Sequence, residues 1–459
     1  MLITLSQQGT TFKNLGHVFR IYSLPCPLAA CGKLHGMRTN KVIGTRRRFP
    51  RKYVIAAAMF LVACEPQVSA EGQKPVQVVA LPSPAGPGSA EPHLALVGNA
   101  NAGLVLSWQA IDGDMASLNY ARLEKGAWSK PVRVAQGDNW FVNWADYPSV
   151  EPMADGRLAA HWLVKRDAGT YAYDVWISLS ADGASWGEPF IAHHDGTSSE
   201  HGFVSLFPWA GNTGAVWLDG RETSGGEHEH DHEDSGDAGM TLRFGLFDAQ
   251  GLTVQEGLVD ELTCDCCQTD TALAGDALVL AYRDRTQEEF RDIAVSRYDG
   301  QTWSEPVLVD DQHWTISGCP VNGPAISARG EDVAVAWFTG AAGTGQVKAA
   351  ISRDGGRSFG PPIMLDPAGA IGRVDIAWLD EQDLAVSWMG RADPDADLKV
   401  MRLQNGTAAG EALTVTHMSE SRRSGFPQMV LQGNKLVFAW TEVGENNQVR
   451  VATLDISAL

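Results

Sequence analysis

The segment Leu436-Val437-Phe438-Ala439-Trp440 is a short apolar run that ends in an aromatic residue, and it is the seventh of its kind in the chain. The earlier six are LVLSW (104–108), LAAHW (158–162), GAVW (214–217), LVLAY (278–282), VAVAW (333–337) and LAVSW (384–388). The aromatic residues follow one another at steps of 54, 55, 65, 55, 51 and 52 residues. A strand-based repeat of this length is typical of β-propellers. The sequence therefore predicts an all-β, seven-bladed β-propeller, with six blades as the alternative.

The two ends of the repeat array indicate how the ring closes. The seventh repeat reaches Leu459 before a fourth strand can form. The stretch 75–79 (PVQVV) resembles the fourth strands that begin at Pro131 and Pro306. We therefore expect strand 75–79, within a Pro/Gly-rich tether at 71–92, to complete the last blade of a propeller at 93–459. Such closure removes a free sheet edge.

Residues 1–70 have the features of a leader and signal peptide. Basic residues at 41–52 precede an apolar run at 53–63 that is short for a membrane span. The run ends in Leu61-Val62-Ala63-Cys64, which resembles a bacterial lipobox and implies that Cys64 is lipidated. Cleavage after Ala70 is the alternative. The prediction is a protein of the bacterial cell envelope, lipid-anchored at the outer membrane and periplasm, or else secreted to the periplasm.

The formal net charge of -19 and the pI near 5.0 describe a strongly acidic protein. A nucleic-acid-binding surface needs clustered Lys and Arg, so nucleic acid is not expected as a partner. Contact with a membrane is expected only through the lipid anchor. A glycan, another small ligand or an envelope protein stays open as a partner.

A second motif recurs at the turn between the third and fourth strands of the repeats. Residues 352–359 (SRDGGRSF) match the Asp-box pattern S-x-D-x-G-x-x-[WF], 180–186 (SADGASW) lack one residue of it, and 296–303 (SRYDGQTW) have the Asp shifted by one. In such a turn the Asp bonds the backbone, Gly takes a positive φ and the aromatic residue covers the turn. Over residues 75–459 the chain resembles the sialidase superfamily of Asp-box (BNR repeat) propellers.

The resemblance implies a site with three arginines for a sugar carboxylate, a Tyr nucleophile beside a Glu, and an Asp acid/base. Connections within a blade alternate between two faces, and the face with the blade-to-blade connections is termed the connection face. Its candidate catalytic residues are Asp146, Tyr147, Asp284, Arg283, Arg285 and Arg373. Its candidate ligand-binding residues are Arg166, Arg221, Arg391, Arg423, Trp144 and Trp314, since Arg binds carboxylates and rings stack on sugars. The sequence departs from sialidases in lacking their Arg-Ile-Pro signature.

Four cysteines beyond the leader lie at the entrances to two adjacent repeats. Cys264, Cys266 and Cys267 precede the fourth repeat, and Cys319 precedes the fifth. Cys264 and Cys319 are each 18 residues before the aromatic residue of their repeat, so they should lie close together around the central channel. Two interpretations stay open, which are thiolate ligation of copper or zinc and disulfides between neighbouring blades in an oxidising compartment.

Residues 227–234 (EHEHDHED) account for the long step of 65 residues. His228, His230 and His232 alternate with carboxylates and could bind a metal, either at a defined site or adventitiously on a solvated loop. Copper or zinc is thus the candidate cofactor at either group.

Three functional hypotheses follow. The first is an exported, lipid-anchored, sialidase-like propeller that binds a ligand, such as a glycan, on the connection face. The second is an exo-glycosidase of sialidase type. The third is a metal-binding or scaffold propeller of the cell envelope.

Overall fold

The computed structural model describes residues 77–98, 103–166, 169–223, 239–316 and 318–459, all within the compact unit Gly72–Leu459. The leader with Cys64, tether residues 71–76, and His228, His230 and His232 lie outside the described residues. In the described ranges, no helix has the length and apolar character needed to cross a membrane.

The strands form seven antiparallel sheets, one for each repeat, after an N-terminal strand β1 (Val79–Leu81). Blade 1 contains β2 (Ser89–Leu96), β3 (Leu104–Asp112), β4 (Met115–Glu124), β5 (Ala127–Trp128) and β6 (Val132–Gly137). Blade 2 contains β7 (Ser149–Pro152), β8 (Leu158–Lys165), β9 (Tyr173–Ser180) and β10 (Phe190–Ile191). Blade 3 contains β11 (His201–Trp209), β12 (Asn212–Asp219), β13 (Met240–Phe247) and β14 (Thr253–Thr263).

The second half of the ring follows the same order. Blade 4 contains β15 (Asp270–Ala274), β16 (Ala277–Arg283), β17 (Ile293–Tyr298) and β18 (Val307–Leu308). Blade 5 contains β19 (Ala325–Arg329), β20 (Asp332–Thr339), β21 (Gln346–Ser352) and β22 (Ile363–Asp366). Blade 6 contains β23 (Ala370–Trp378), β24 (Leu384–Ala392), β25 (Asp395–Gln404) and β26 (Thr407–Met418). Blade 7 contains β27 (Gln428–Gln432), β28 (Lys435–Glu442), β29 (Gln448–Asp455) and β1, with short 3-10 turns at Arg422–Ser424 and Ile456–Ala458.

The first strands of the blades form an inner ring. Each of them contacts the first strand of the next blade, in the cyclic order β2, β7, β11, β15, β19, β23, β27 and back to β2. The seven-bladed prediction is therefore confirmed, and the six-bladed alternative is excluded.

A strand from the N-terminal side closes the ring, as predicted. β1 pairs antiparallel with β29, with Val79 opposite Thr453 and Leu81 opposite Val451. The observed strand covers Val79 to Leu81, so it overlaps the expected strand 75–79 only at residue 79. The first inner strand begins at Ser89 instead of 93, because a bulge after Ala90 lets the pairing with β3 continue back to Ser89.

The repeated aromatic residues form the contacts between blades. Trp217 of blade 3 packs with Leu163 and Val175 of blade 2. The same packing against the preceding blade holds for Trp108, Trp162, Tyr282, Trp337, Trp388 and Trp440. All seven are at most 8% exposed. Aromatic rings bury large apolar areas, so these positions belong to the core and are not available for chemistry.

Side-chain hydrogen bonds join the inner strands of successive blades. Asp270 of blade 4 accepts from the N–H of Ile326 of blade 5 at 2.8 Å, and Asp375 of blade 6 accepts from the N–H of Met429 of blade 7 at 2.6 Å. Inner strands also donate to Asp146 and Asn322 in the connections and to Ser107 and Thr441 in second strands. Together these bonds satisfy backbone donors near the start of six of the seven blades and fix their positions on the ring.

The Asp-box turns have the hydrogen bonds that the motif predicts. Oδ1 of Asp354 accepts from the N–H groups of Arg357 (3.0 Å) and Ser358 (2.9 Å), while Gly355 and Gly356 have φ angles of 73° and 83°. The equivalent bonds are accepted by Asp182 and Asp299. These carboxylates are used within the turns and have a structural role.

Candidate functional site on the connection face

Arg283, one of the predicted catalytic residues, is buried in blade 4 and hydrogen-bonded to the backbone. Its guanidinium donates to the carbonyl oxygens of Arg291 (2.7 Å), Asn322 (2.8 Å) and Phe338 (2.8 Å), and the residue is 2% exposed. It also lies 4.9 Å from the ring centroid of Trp314, which is buried. Neither Arg283 nor Trp314 is therefore free to contact a ligand.

Arg373 and Trp144 also contact the protein itself. NH1 of Arg373 donates to the carbonyl oxygen of Gly425 at 2.8 Å, and the guanidinium lies 4.9 Å from the Trp144 ring. Trp144 in turn stacks with Phe426 at 5.8 Å and 13°. The predicted catalytic arginine and the predicted stacking ring thus pack together, with the half-buried ring of Trp144 against the buried guanidinium.

Two further predicted arginines form ion pairs inside the face. Arg285 contacts Asp265 (3.1 Å) and Glu289 (2.6 Å). Arg221 forms a fork with Asp219, in which Nε to Oδ1 and NH2 to Oδ2 are both 2.7 Å. A fork of this kind uses two of the five N–H donors of Arg221, so a ligand carboxylate would have to share the guanidinium with Asp219.

The last three predicted arginines differ in exposure. Arg166 donates to Asp174 at 3.0 Å, and Arg423 donates to the carbonyl oxygen of Gly444 at 3.2 Å. Arg391 has a 68% exposed side chain, and its ion pair with Glu420 is 3.6 Å long. Of these arginines, Arg391 is the one that a solute can reach most easily.

Two predicted catalytic residues that are neighbours in sequence have different partners. Asp146 hydrogen-bonds to Tyr173, whereas the hydroxyl of Tyr147 accepts from Nε2 of Gln428 at 3.4 Å. Oδ2 of Asp146 accepts from the Tyr173 hydroxyl at 2.9 Å, and its Oδ1 accepts from the N–H of Phe203 at 2.7 Å. The same hydroxyl lies 2.8 Å from Oε1 of Glu200. The structure thus brings together a carboxyl, a phenol and a second carboxyl.

One hydroxyl can donate only one hydrogen bond, so two carboxyl groups around Tyr173 favour an extra proton on one of them. Burial raises the pKa of Asp146 to about 7 and that of Glu200 to about 8, which is consistent with such sharing. Tyr173 is fully buried and stacks on Phe141 at 4.0 Å, so its oxygen is not open to a substrate. The trio is a buried hydrogen-bond network.

The stretch 282–285 does not converge on one point. Tyr282 is a core residue whose hydroxyl donates to Asp260 at 2.6 Å. Burial, and then the charge of Asp260, raises the pKa of Asp284 to about 7. Arg283 donates to backbone carbonyl oxygens, and Arg285 forms ion pairs with Asp265 and Glu289. The predicted catalytic residues therefore do not form one site.

The four cysteines do come together where blades 4 and 5 begin. Cys266 and Cys319 form a disulfide, with their Cα atoms 6.0 Å apart. Cys264 and Cys267 are buried free thiols whose Sγ atoms lie 3.4 Å apart. The disulfide interpretation therefore fits Cys266 and Cys319, which bridge two blades. The metal-ligand interpretation fits Cys264 and Cys267, whose thiols are free.

Cys264 lies in a positively charged environment. NH1 of Arg291 is 3.4 Å from its Sγ atom, and Arg291 is 5% exposed. A hydrogen bond from Cys267, with the charges of Arg291 and Arg283, holds the pKa of Cys264 below its usual value. Burial raises the pKa of Cys267. The nearby positive charge thus favours a thiolate at Cys264 over one at Cys267.

A second group of donor atoms lies between blades 2 and 3. The rings of His193 and His201 stack with their centroids 3.6 Å apart. Oδ2 of Asp195 lies 2.8 Å from Nδ1 of His193 and 3.1 Å from Nε2 of His201. Nε2 of His193 faces Oδ1 of Asp174 at 3.6 Å. Burial, and then the charge of His201, lowers the pKa of His193 to about 3.

No protein-family model matches the sequence, and neither does any curated protein. Similar solved structures include the NanB sialidase from Streptococcus pneumoniae, with 10% identity, a TM-score of 0.44, and coverage of 83% of this chain and 95% of that one. A Hadza microbial sialidase has 12% identity and a TM-score of 0.45, and the match covers 76% of this chain and 75% of that one. An α-L-arabinanase from Penicillium chrysogenum, complexed with arabinobiose, has 14% identity and a TM-score of 0.42. This match covers 68% of this chain and 93% of that one.

The chain has the fold of a seven-bladed β-propeller. Its blade count and closure rest on the strand pairing described above, and its Asp-box turns are formed as the motif requires. A fold does not specify a function, so the chemistry of this propeller has to be argued from its own residues.

The sequence pattern missed Arg291, Tyr173, Glu200 and the imidazole cluster of this propeller. Cys264 and Cys267 have the C-x-x-C spacing that is typical of redox and metal sites, a signal hidden by the grouping of all four cysteines. His193 and His201 carry no spacing signal of this kind, because the course of an irregular connection brings them together. Only the fold makes them neighbours.

Proposed function

We propose that this protein is an exported, lipid-anchored β-propeller of the bacterial cell envelope that binds a copper(I) ion through Cys264 and Cys267. The observation that carries the proposal is the pair of buried thiols, whose sulfur atoms lie 3.4 Å apart beside Arg291. Thiolates are the form of cysteine that binds metals, and they are soft ligands suited to Cu(I). The ligand of the connection face is then a metal ion.

Ligand number favours copper(I) over zinc. A structural zinc ion almost always has four protein ligands. Of the cysteines in the described residues, only Cys264 and Cys267 have free sulfur atoms, because Cys266 and Cys319 are joined. Two thiolates balanced by nearby guanidinium groups match a monovalent soft ion better than a divalent one.

Copper binding is tested on the full chain purified without a histidine tag, with His228, His230 and His232 replaced by Ser. The protein, with the disulfide between Cys266 and Cys319 intact, is titrated with Cu(I) without oxygen, in competition with a chromophoric chelator. We expect one copper ion per chain, lost when Cys264 and Cys267 are both changed to Ser.

The matched control is the double change of Cys266 and Cys319 to Ser, which removes the disulfide and keeps the dithiol. This variant should retain the copper ion. Equal copper binding by the parent and the variant without Cys264 and Cys267 would reject the proposal, and one zinc ion held in preference to copper would reject the choice of metal.

Export and anchoring are supported by the lipobox-like sequence that ends at Cys64. The Cys64→Ser variant should lose incorporation of labelled palmitate and move from the membrane fraction to the soluble fraction, because a diacylated cysteine is the anchor. An unlabelled wild-type protein, or a Cys64→Ser variant that stays with the membrane, would contradict this prediction.

A glycan is the second candidate ligand, favoured by two reachable guanidinium groups on the connection face. Arg391 has a 68% exposed side chain, and the exposed Arg422 lies 5.8 Å from the ring of Trp144. Acidic glycans on an array should then bind, with at least a tenfold loss in the Arg391→Ala, Arg422→Ala double variant. Signals confined to background would remove this candidate, and turnover of an aryl glycoside would extend it to hydrolysis.

A further inference from the structure

The imidazoles of His193 and His201 form a group separate from the cysteines. Both side chains are fully buried, and that of Asp174 is 7% exposed. Nε2 of His193 and Oδ1 of Asp174 face each other at 3.6 Å, and neither atom has a hydrogen-bond partner within the described part of the chain. Because Nδ1 of His193 donates to Asp195 at 2.8 Å, its Nε2 presents a lone pair to the carboxylate oxygen. Two acceptors that face each other in a buried site require a positive charge between them.

Asp195 orients both rings. Its Oδ2 lies within hydrogen-bond distance of Nδ1 of His193 and Nε2 of His201. When the N–H of His193 points to this carboxylate, its opposite nitrogen, Nε2, becomes an acceptor. Nδ1 of His201 lies at hydrogen-bond distance from the carbonyl oxygens of Ser199 (3.1 Å) and Tyr173 (3.2 Å), and it gives up that contact when it ligates an ion. Metal-ligating histidines almost always donate their other N–H to a carboxylate or a carbonyl in this way. Asp195 is itself held by the N–H of Thr197 at 2.8 Å and by Arg221 at 3.3 Å.

We propose that Asp174, His193 and His201 bind a divalent metal ion of the zinc class. Each residue offers one donor atom, and the three atoms lie within 4.8 Å of one another. Donor atoms on a tetrahedral ion at about 2.0–2.1 Å are about 3.3–3.4 Å apart, close to the 3.6 Å between Nε2 of His193 and Oδ1 of Asp174. The carbonyl oxygen of Tyr173, 3.2 Å from Nδ1 of His201, is a further oxygen beside the site.

The ligand types and the charge of the cluster fit such an ion. Imidazole and carboxylate together suit zinc and its neighbours in the first transition row. Among the described residues, the carboxylates of Asp174, Asp195 and Asp219 face two guanidinium groups, those of Arg166 and Arg221, so the cluster with neutral imidazoles has a charge of 2 − 3 = −1. The ligands come from β9, the connection and the first residue of β11, so the ion would join blade 2 to blade 3.

The site is tested on the full chain with Ser at Cys264, Cys267, His228, His230 and His232, after removal of metal with EDTA. Titration with Co²⁺ should give one ion per chain, with d–d absorption and no thiolate charge-transfer band. The dissociation constant should rise at least tenfold in the His193→Gln and Asp174→Asn variants. His194 is the matched control, because it is the exposed neighbour of His193, and His194→Gln should leave binding unchanged.

Two further measurements keep the inference open to rejection. Asp195→Asn should weaken Co²⁺ binding about ten- to a hundredfold, as expected for a residue that orients metal ligands. Added Zn²⁺ should raise the Tm of the metal-free parent protein, which needs no ligand variant to fold. Absence of Co²⁺ binding, binding unchanged in both ligand variants, or a Tm unaffected by Zn²⁺ would overturn the site. Because this background lacks both thiols, the result is independent of the copper proposal.

Discussion

Arg283 joins three segments of the chain through one buried guanidinium group. Its hydrogen bonds reach the carbonyl oxygens of Arg291 in its own blade, Asn322 before blade 5 and Phe338 within blade 5. A buried carbonyl that loses its donor costs about 1–3 kcal/mol. The residue therefore contributes to stability in proportion to the number of carbonyls that it satisfies.

Replacing this side chain tests that role. Arg283→Met should lower the free energy of unfolding by about 3–5 kcal/mol, because it leaves several buried acceptors unpaired. Arg391→Met, at an exposed position with a long ion pair, should change it by less than about 0.5 kcal/mol. Urea unfolding measures both values, and similar effects for the two variants would contradict the structural role.

Asp375 on the inner ring should make stability depend on pH. Burial raises its pKa to about 7, although the N–H of Met429 acts in the opposite direction. The folded state then binds more protons than the unfolded chain between pH about 4 and about 7, so the contribution of Asp375 to stability falls as the pH rises through that range. Relative to wild type, the free energy of unfolding of Asp375→Asn should increase by up to about 1.4 kcal/mol per pH unit there and level off above.

The control for this pH series is Asp354→Asn in an Asp-box turn. Hydrogen bonds from Ser358 and Ser352 lower the pKa of Asp354 to about 2, so the carboxylate is ionised in both states above pH about 5. The difference between this variant and wild type should therefore stay constant from pH 5 to 7. A flat profile for Asp375→Asn as well would show that its carboxyl group is ionised throughout.

Single residues were the least predictable part of this protein. Arginine at the end of an aromatic strand can bind a ligand or the backbone of the next blade, and the position in the sequence is the same for both. Arg283 and Arg373 satisfy carbonyl oxygens, while Arg391 points to solvent. Only the packing around each guanidinium decides between these roles. The cysteines were easier to place, because equal distances from repeated aromatic residues fix equal positions in the blades.

At the level of elements, the connection between β14 and β15 carries the cysteines. The disulfide from Cys266 to Cys319 ties this connection to the one before β19, across 53 residues of sequence. Closing a loop of that length restricts the unfolded chain by about 4 kcal/mol in the chain-entropy model. The disulfide should therefore stabilise the interface between blades 4 and 5.

Removing the disulfide tests the size of this stabilisation. The Cys266→Ser, Cys319→Ser double variant should lose about 4 kcal/mol of stability in urea unfolding. Wild-type protein measured in a reducing agent should fall to the same value, whereas Cys264→Ala, Cys267→Ala should cost less. A reductant that leaves the wild-type midpoint unchanged would show that the disulfide does not restrain the unfolded chain.

Strands and connections differ in how far the sequence specifies them. The second strands are visible as apolar runs ending in an aromatic residue, since each is buried on both faces. The Asp-box turns are visible because their bonds are local, as at Asp354. The connection from β10 to β11 has neither property, so the approach of His193 to Asp174 depends on tertiary contacts.

On the scale of the whole molecule, one short strand closes the ring. β1 covers the outer edge of β29 through the pairs at Val79, Ala80 and Leu81. An uncovered strand edge is a template for pairing with another chain. Deletion of residues 77–81 should therefore cause self-association, detected as a mass above that of the monomer by light scattering.

The matched deletion removes residues 71–75, which precede the strand and shorten the tether by the same length. This variant should keep the mass of the parent protein. A strand-deleted protein that stays at the parent mass and stability would show that the last blade is complete without β1.

The pairing of Val79 with Thr453 also has a consequence in time. These residues are 453 − 79 = 374 positions apart, and ribosomes add about 5–20 residues per second. The strand at Val79 is made roughly 20–75 s before its partner exists. During that interval the early blades can pack against one another, but the propeller ring stays open. The unpaired strand β1 is then a target for chaperones and for misassembly. The last residues to be synthesised thus decide when the first ones find their place.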